Sequence, residues 1–254
     1  MKNLFLFVFF AAYASFAIAQ DNDSTSVKRK NVIKFLPVNI PFQSTSFEYE
    51  RMINAKNSFT LGIGLPNQQS LIGKYGIKDG SHQNGSDPTL NTLELGTMHV
   101  RAAFRHYGGG KRNLPRGFYI EPYVKYQKIT GSASGSFTDD SQNKTYTAAI
   151  DVNVNTMNVG FQLGAQFLIA KRVTLDFYFL GLEAGFLSGN VTGTAPDEKF
   201  ATDLYTEMKK SKNDLPASIG DKIDITQSGN QVNLKASSVP YPWFRSGISI
   251  GIAF

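Results

Sequence analysis

The chain has 254 residues, 41% of them hydrophobic and 18% charged, a formal net charge of +6 and no cysteine. A mean hydropathy of −0.21 is too polar for a bundle of membrane helices, and beyond the N-terminus no stretch of roughly 18 consecutive apolar residues offers a spanning helix. The basic residues are dispersed and form no stripe of the kind nucleic-acid binders carry, and without cysteine there is neither a disulfide framework nor a thiol for a lipid anchor.

The N-terminus has the pattern of a secretory signal over residues 1–19. Lys2 supplies the positive start, Leu4 to Ala12 the apolar stretch, and Ala17-Ile18-Ala19 a small-x-small cleavage site before Gln20. The mature chain is then residues 20–254.

Period-2 alternation and turn signals predict eight strands. The first runs from about Asn31 to Pro37 and the second from Ser46 to Ile53. In the third, Phe59, Leu61, Ile63 and Leu65 alternate with Thr60, Gly62 and Gly64. The fourth spans Leu93 to His106, with Met98, Val100, Ala102 and Phe104 on one face. The fifth spans Phe118 to Lys128 and contains Pro122, a residue that argues against a central strand. The sixth ends with Met157, Val159, Phe161, Leu163, Ala165, Phe167 and Ile169 on one face. The seventh, Val173 to Phe186, changes phase, which predicts a bulge near Leu180-Gly181. The eighth runs from Phe244 to Phe254.

Connections alternate in length. Asn54 to Asn57, Gly108 to Arg116 and Ala170 to Arg172 are short, whereas Asn67 to Thr92, Ile129 to Thr145 and Gly189 to Val239 read as long loops. The last should hold a helix: Thr194 and Asp197 resemble a capping box, Pro196 suits a first turn, and Lys209, Lys210 and Lys212 sit at the far end. Phe200, Leu204 and Met208 recur every four residues. They read as a stripe packing on the rest of the fold or as a surface for a partner.

In the terminal strand Phe244, Ile248, Ile250, Ile252 and Phe254 face one way, and Arg245, Gly247, Ser249, Gly251 and Ala253 the other. An apolar outside and a polar inside is the pattern of a barrel wall in lipid. The expected fold is all-β, an eight-stranded antiparallel up-and-down transmembrane β-barrel with long extracellular loops. Taking the apolar face as outward puts Lys34, Glu48, Glu50, Arg101, Arg105, Glu121, Lys125, Asp176, Glu183 and Arg245 inside. Five acids and five bases in so narrow an interior predict a salt-bridged plug; a path for protons or small ions is the alternative. Counting heights from the turns pairs Arg101 with Glu121, Lys34 with Glu50 and Glu183 with Arg245.

The signal, the eight alternating strands, the long loops and the terminal Ile250-Gly251-Ile252-Ala253-Phe254 resemble the small bacterial outer-membrane barrels typified by OmpX and the membrane domain of OmpA. The resemblance implies an outer-membrane location and contact with membrane lipids and lipopolysaccharide. It also implies Ile250, Ile252 and Phe254 as an assembly signal read by the barrel-insertion machinery. Some such barrels are lipid A-modifying enzymes, but chemistry is hard to place here. His82 lies in a polar loop, His99 faces inward and His106 outward near a turn, none beside an obvious Ser and acid. The turn Gly108-Gly109-Gly110-Lys111 lacks phosphate-loop spacing, and Asp139-Asp140-Ser141 with Asn143 lacks the glycine and terminal glutamate of a calcium loop. The expectation is therefore a non-catalytic protein of structural or surface-interaction type, without cofactor or metal, with an extracellular partner engaged by the loops. A narrow channel and a soluble lipocalin-like binding barrel are the alternatives.

Overall fold

A computed structural model describes residues 29–67, 69–72, 89–108, 114–139 and 144–254. The expected signal segment, His82 and Asp140 to Asn143 lie outside these residues, as does the middle of the Gly108 to Arg116 connection. The fold is all-β and antiparallel. In chain order the strands are β1 (Asn31–Phe35), β2 (Ser44–Met52), β3 (Asn57–Pro66), β4 (Gln69–Ser70), β5 (Thr89–Tyr107), β6 (Gly117–Asp139), β7 (Lys144–Ile169), β8 (Val173–Thr194), β9 (Ile223–Ser228), β10 (Gln231–Pro240) and β11 (Trp243–Ala253). Two helices, α1 (Glu198–Asn213) and α2 (Ala217–Gly220), lie between β8 and β9.

Among the described residues, eight strands close a ring in the order β11-β1-β2-β3-β5-β6-β7-β8, with β8 pairing back onto β11. Closure leaves no free edge in the ring. The first and last strands meet through reciprocal backbone bonds, Asn31 N to Phe254 O at 3.0 Å and Phe254 N to Asn31 O at 2.8 Å. The β2–β3, β5–β6 and β7–β8 connections lie at this end. One is an Asx turn in which Asn54 Oδ1 accepts from Lys56 N and Asn57 N. Another is the three-residue β7–β8 connection Ala170 to Arg172, in which both Ala170 and Lys171 take positive φ, 48° and 59°.

The expected bulge is present. Leu163 faces Leu180 and Gly164 faces Tyr178, so Phe179 is the extra residue. The slip lets Val173 and Phe179 before it, and Leu182 and Phe186 after it, all point outward. Pro122 sits in a central strand after all. It pairs with Phe161 of β7, while the β5–β6 ladder passes from the Ala103–Tyr123 bridge to the His106–Ile120 bridge without the two between. Proline's missing N–H is thus absorbed on one side of one strand.

Two of the anticipated long loops are mostly regular structure. β6 and β7 continue through residues 129–139 and 144–156, and the segment after Gly189 holds the end of β8, both helices and the β9–β10 hairpin. Along these extensions the alternation persists but its polarity inverts. Val100, Tyr126, Met157, Phe186 and Pro240 form one row of partners across β5, β6, β7, β8 and β10. On the short-turn side of that row, outward residues are apolar and exposed: Phe104, Ile120, Val124, Val159, Phe161 and Leu182. Beyond it, the outward residues of β6 are Lys128, Thr130, Ser132 and Ser134, and those of β7 are Asn155, Asn153 and Asp151. The apolar residues Val152, Val154, Leu187, Val191, Val232 and Leu234 now take the inward parity.

The extension has a core of its own. Ala195, Ala201, Ile225 and Val232 are buried together, with Tyr205, Met208, Ile223 and Leu234 packed around them. Helix α1 therefore lies on the inward-parity face of β9 and β10. Its N-cap is Asp197, whose carboxylate accepts from Phe200 N at 2.8 Å. Thr194 is the last residue of β8 and takes no part, so the capping-box reading was one turn early, with Pro196 just outside the helix.

Candidate functional site: a charged interior

Nine of the ten expected interior charges are buried, and Arg245 is half-buried. The alternation puts them there: each belongs to the face opposite the apolar belt. Glycines on that inward face sit opposite large side chains on neighbouring strands. A Cβ at Gly64 would collide with His99, at Gly164 with Tyr119, at Gly160 with Tyr123, at Gly181 with Arg245 and at Gly247 with Tyr178. Small opposite large lets long polar groups fill a narrow ring.

The charges form two tiers. In the tier nearer the short turns, Lys34 Nζ lies 2.7 Å from Glu50 Oε2, 2.9 Å from Asp176 Oδ2 and 3.4 Å from Glu48 Oε1. Arg105 bonds Glu121 through Nε and Asp176 through Nη1 at 2.9 Å, with Glu50 at 3.5 Å and Glu48 at 3.6 Å. Arg101 bridges Glu48 and Glu121. Four carboxylates thus share three cations, and neutral donors supply the remainder. Ser58 and Tyr107 each donate to Glu50 at 2.6 Å, Tyr119 to Asp176 at 2.8 Å and Gln162 to Glu121 at 2.8 Å. Gln166 receives a bond from Arg105 at 2.7 Å and donates to Glu50 at 3.2 Å. The Arg105 guanidinium also stacks 3.7 Å over the Tyr119 ring. Met52, Tyr107 and Tyr119 pack into a buried floor beneath.

In the outer tier Lys125 Nζ meets Glu183 at 2.5 Å, and Tyr123 and Asn158 donate to the same carboxylate at 3.0 and 2.9 Å. Arg245 lies 4.7 Å over Tyr178 and 5.4 Å over Tyr123. Here one carboxylate faces two cations, so the two tiers together balance.

Two of the three expected pairs, Arg101 with Glu121 and Lys34 with Glu50, are in contact. The third is not built. The ladder sets Glu183 opposite Trp243 and Arg245 opposite Gly181, so the two charges lie two residues out of register. The expected stripe on α1 is also divided. Met208 packs on the sheet beside Ala201 and Tyr205, whereas Phe200 and Leu204 face solvent. Ile250, Ile252 and Phe254 all point outward. Sequence reasoning passed over the tyrosines and amides that complete the network, although Tyr107, Tyr119, Tyr123, Asn158, Gln162 and Gln166 share the parity of the charges. Among the described residues, no group of three His, Cys, Asp or Glu is placed to hold a metal ion.

Filled, buried and cross-linked in this way, the interior can hold the wall together. No family model, no curated protein and no solved structure matches the chain.

Proposed function

We propose that the protein is a bacterial outer-membrane β-barrel of structural or surface-interaction type. Its lumen is sealed by the two charge tiers, and its working surface is the lobe built on β5–β10 and α1. The observation that carries this reading is the polarity inversion at the Val100–Tyr126–Met157–Phe186 row. An exposed apolar belt around buried charges is unfavourable in water, since exposed apolar surface and buried ions each cost free energy there. In lipid the same belt is solvated. Beyond the row the chain reverts to the pattern of a water-soluble sheet with its own core, which supports a membrane boundary at that row. The short turns then lie on the periplasmic side and the lobe outside the cell.

The test has two parts. Expressed with its N-terminal segment in a Gram-negative host, the protein should fractionate with the outer membrane and show a heat-modifiable electrophoretic shift. In planar bilayers it should give no resolvable conductance. Soluble recovery without detergent would favour the lipocalin-like alternative, and steady single-channel currents would favour the conduit.

A further inference from the structure

We propose that the outward face of the lobe carries a binding site for an uncharged or amino-bearing saccharide, in a groove across β5–β8. The groove has a volume of about 440 Å³ and is lined on four adjacent strands. Register makes it a grid. Glu94, Ser132, Asp151 and Thr192 are successive cross-strand partners in one row, and Gly96, Thr130, Asn153 and Asn190 in the next. Rows two residues apart lie about 7 Å from each other, and strands about 4.8 Å. That lattice presents acceptors and donors at the spacing of hydroxyls on a pyranose and its neighbour.

Most of the groove's polar side chains are unspent. Several polar residues elsewhere on the face satisfy one another: Thr92 with Ser134 at 2.7 Å, Asn91 with Ser136 at 3.1 Å, Thr138 with Thr145 at 3.1 Å and Tyr126 with Asn155 at 2.8 Å. Within the groove Glu94, Ser132, Asp151, Asn153 and Asn190 make no side-chain hydrogen bond or ion pair with any described residue. Gly96 keeps one corner of the grid open.

The chemistry narrows the ligand. Carboxylates accept pairs of hydroxyls, and carboxamides both donate and accept, which is what a polyhydroxylated ring requires. The lining holds two carboxylates and no cation, so phosphate and sulfate groups are repelled. Glu94 and Asp151 stand two strands apart, about 10 Å, too far to share one metal ion but suited to two positions on an oligosaccharide. The grid begins two rows beyond the apolar belt, at the level of sugar headgroups if the membrane reading holds; the groove's chemistry does not depend on that reading.

The protein in detergent micelles should be titrated by saturation-transfer NMR and calorimetry with neutral gluco-, manno- and galacto-oligosaccharides, N-acetylglucosamine and glucosamine oligomers, and a sulfated oligosaccharide. Saturable binding of at least one unsulfated series is expected, with the sulfated sugar at least tenfold weaker. Glu94→Ala with Asp151→Ala should weaken binding at least tenfold, and Thr147→Ala, on the same face outside the groove, should leave it unchanged. The heat-modifiable shift reports that each variant is folded, and an Asn153→Ala, Asn190→Ala variant serves if the first is not. Absence of saturable binding across the panel, undiminished binding in folded groove variants, or equal affinity for the sulfated sugar would overturn the proposal. Competition by vesicles bearing a neutral glycolipid, against plain phospholipid vesicles, assigns the sugar to a membrane headgroup; without competition it is a free or foreign glycan. Because free sugars reach the groove in micelles, failure here leaves the membrane proposal standing, and failed fractionation leaves the groove standing.

Discussion

Replacing Arg101 with Met should cost far more than replacing its partner Glu121 with Gln. Both are buried, at 3% and 0% exposure, but their tier is not symmetric. It holds Glu48, Glu50, Glu121 and Asp176 against Lys34, Arg101 and Arg105. Arg101→Met leaves four carboxylates on two cations and strips Glu48 of its closest partner. An uncompensated buried charge costs about 3–5 kcal/mol. Glu121→Gln leaves three carboxylates on three cations. Arg101 keeps Glu48, Arg105 keeps Asp176, and the amide oxygen still accepts from one donor. The loss is then that of weakened charged hydrogen bonds, about 1–3 kcal/mol. In the double variant the two neutralised groups leave together, so the cost should fall below the sum of the singles by about 1.5–3 kcal/mol, within the range of coupled neighbours. The assay is guanidinium unfolding in micelles, followed by the fluorescence of Trp243, the only tryptophan in the chain, which is half-exposed at the start of β11 opposite Glu183. Equal single losses that add without coupling would refute the argument from tier imbalance. A large conductance change with little stability change would refute the sealed lumen itself.

Val124→Arg, in the exposed apolar belt, should destabilise by about 2–4 kcal/mol in a bilayer folding titration. Ser132→Arg, on the same face of the same strand beyond the inversion row, should lie within about 0.5 kcal/mol of wild type, as expected for an exposed site; similar losses at both would remove the boundary. Ala170→Gly should raise stability by about 1 kcal/mol, because a non-glycine residue is held there at φ 48°; the measure is the guanidinium midpoint. Asp197→Ala should loosen α1 by about 1 kcal/mol through loss of the cap to Phe200 N, seen as faster protease cleavage between 198 and 213 with the heat-modifiable shift unchanged. Deleting Phe254 removes the two backbone bonds to Asn31 that close the ring; less of the protein should reach the membrane fraction in cells, and wild-type yield would contradict the assembly role of that residue.

The ring was legible because one physical rule, side chains alternating across a strand, acts on every wall residue with the same sign. Phe118 to Tyr126 and Phe244 to Phe254 announce both the strand and its outward face, and the charges fall inside by parity alone. The partners did not follow so simply. Register decides them: the ladders set Glu183 opposite Gly160 and Trp243, two residues out of line with Arg245, and its carboxylate meets Lys125 instead. The lobe was missed for a different reason. From Lys128 onward β6 reads Lys-Ile-Thr-Gly-Ser-Ala-Ser-Gly-Ser, which looks like a polar, glycine-rich loop when judged by the composition of a lipid-facing strand. The alternation is intact there; on the membrane reading only the solvent on each side has changed. Ile129 and Ala133 keep the parity of Glu121 and Lys125, whereas Thr130, Ser132 and Ser134 keep that of Ile120 and Val124. A strand that crosses from lipid into water must exchange its faces, because the side that must be apolar follows the medium while the parity follows the backbone. The same exchange divides the interior. Within the belt, inward side chains must be polar enough to pair and large enough to fill the ring; beyond it they must be apolar enough to receive Met208 and Tyr205 from α1. The row at Tyr126 and Met157 is where those two requirements meet.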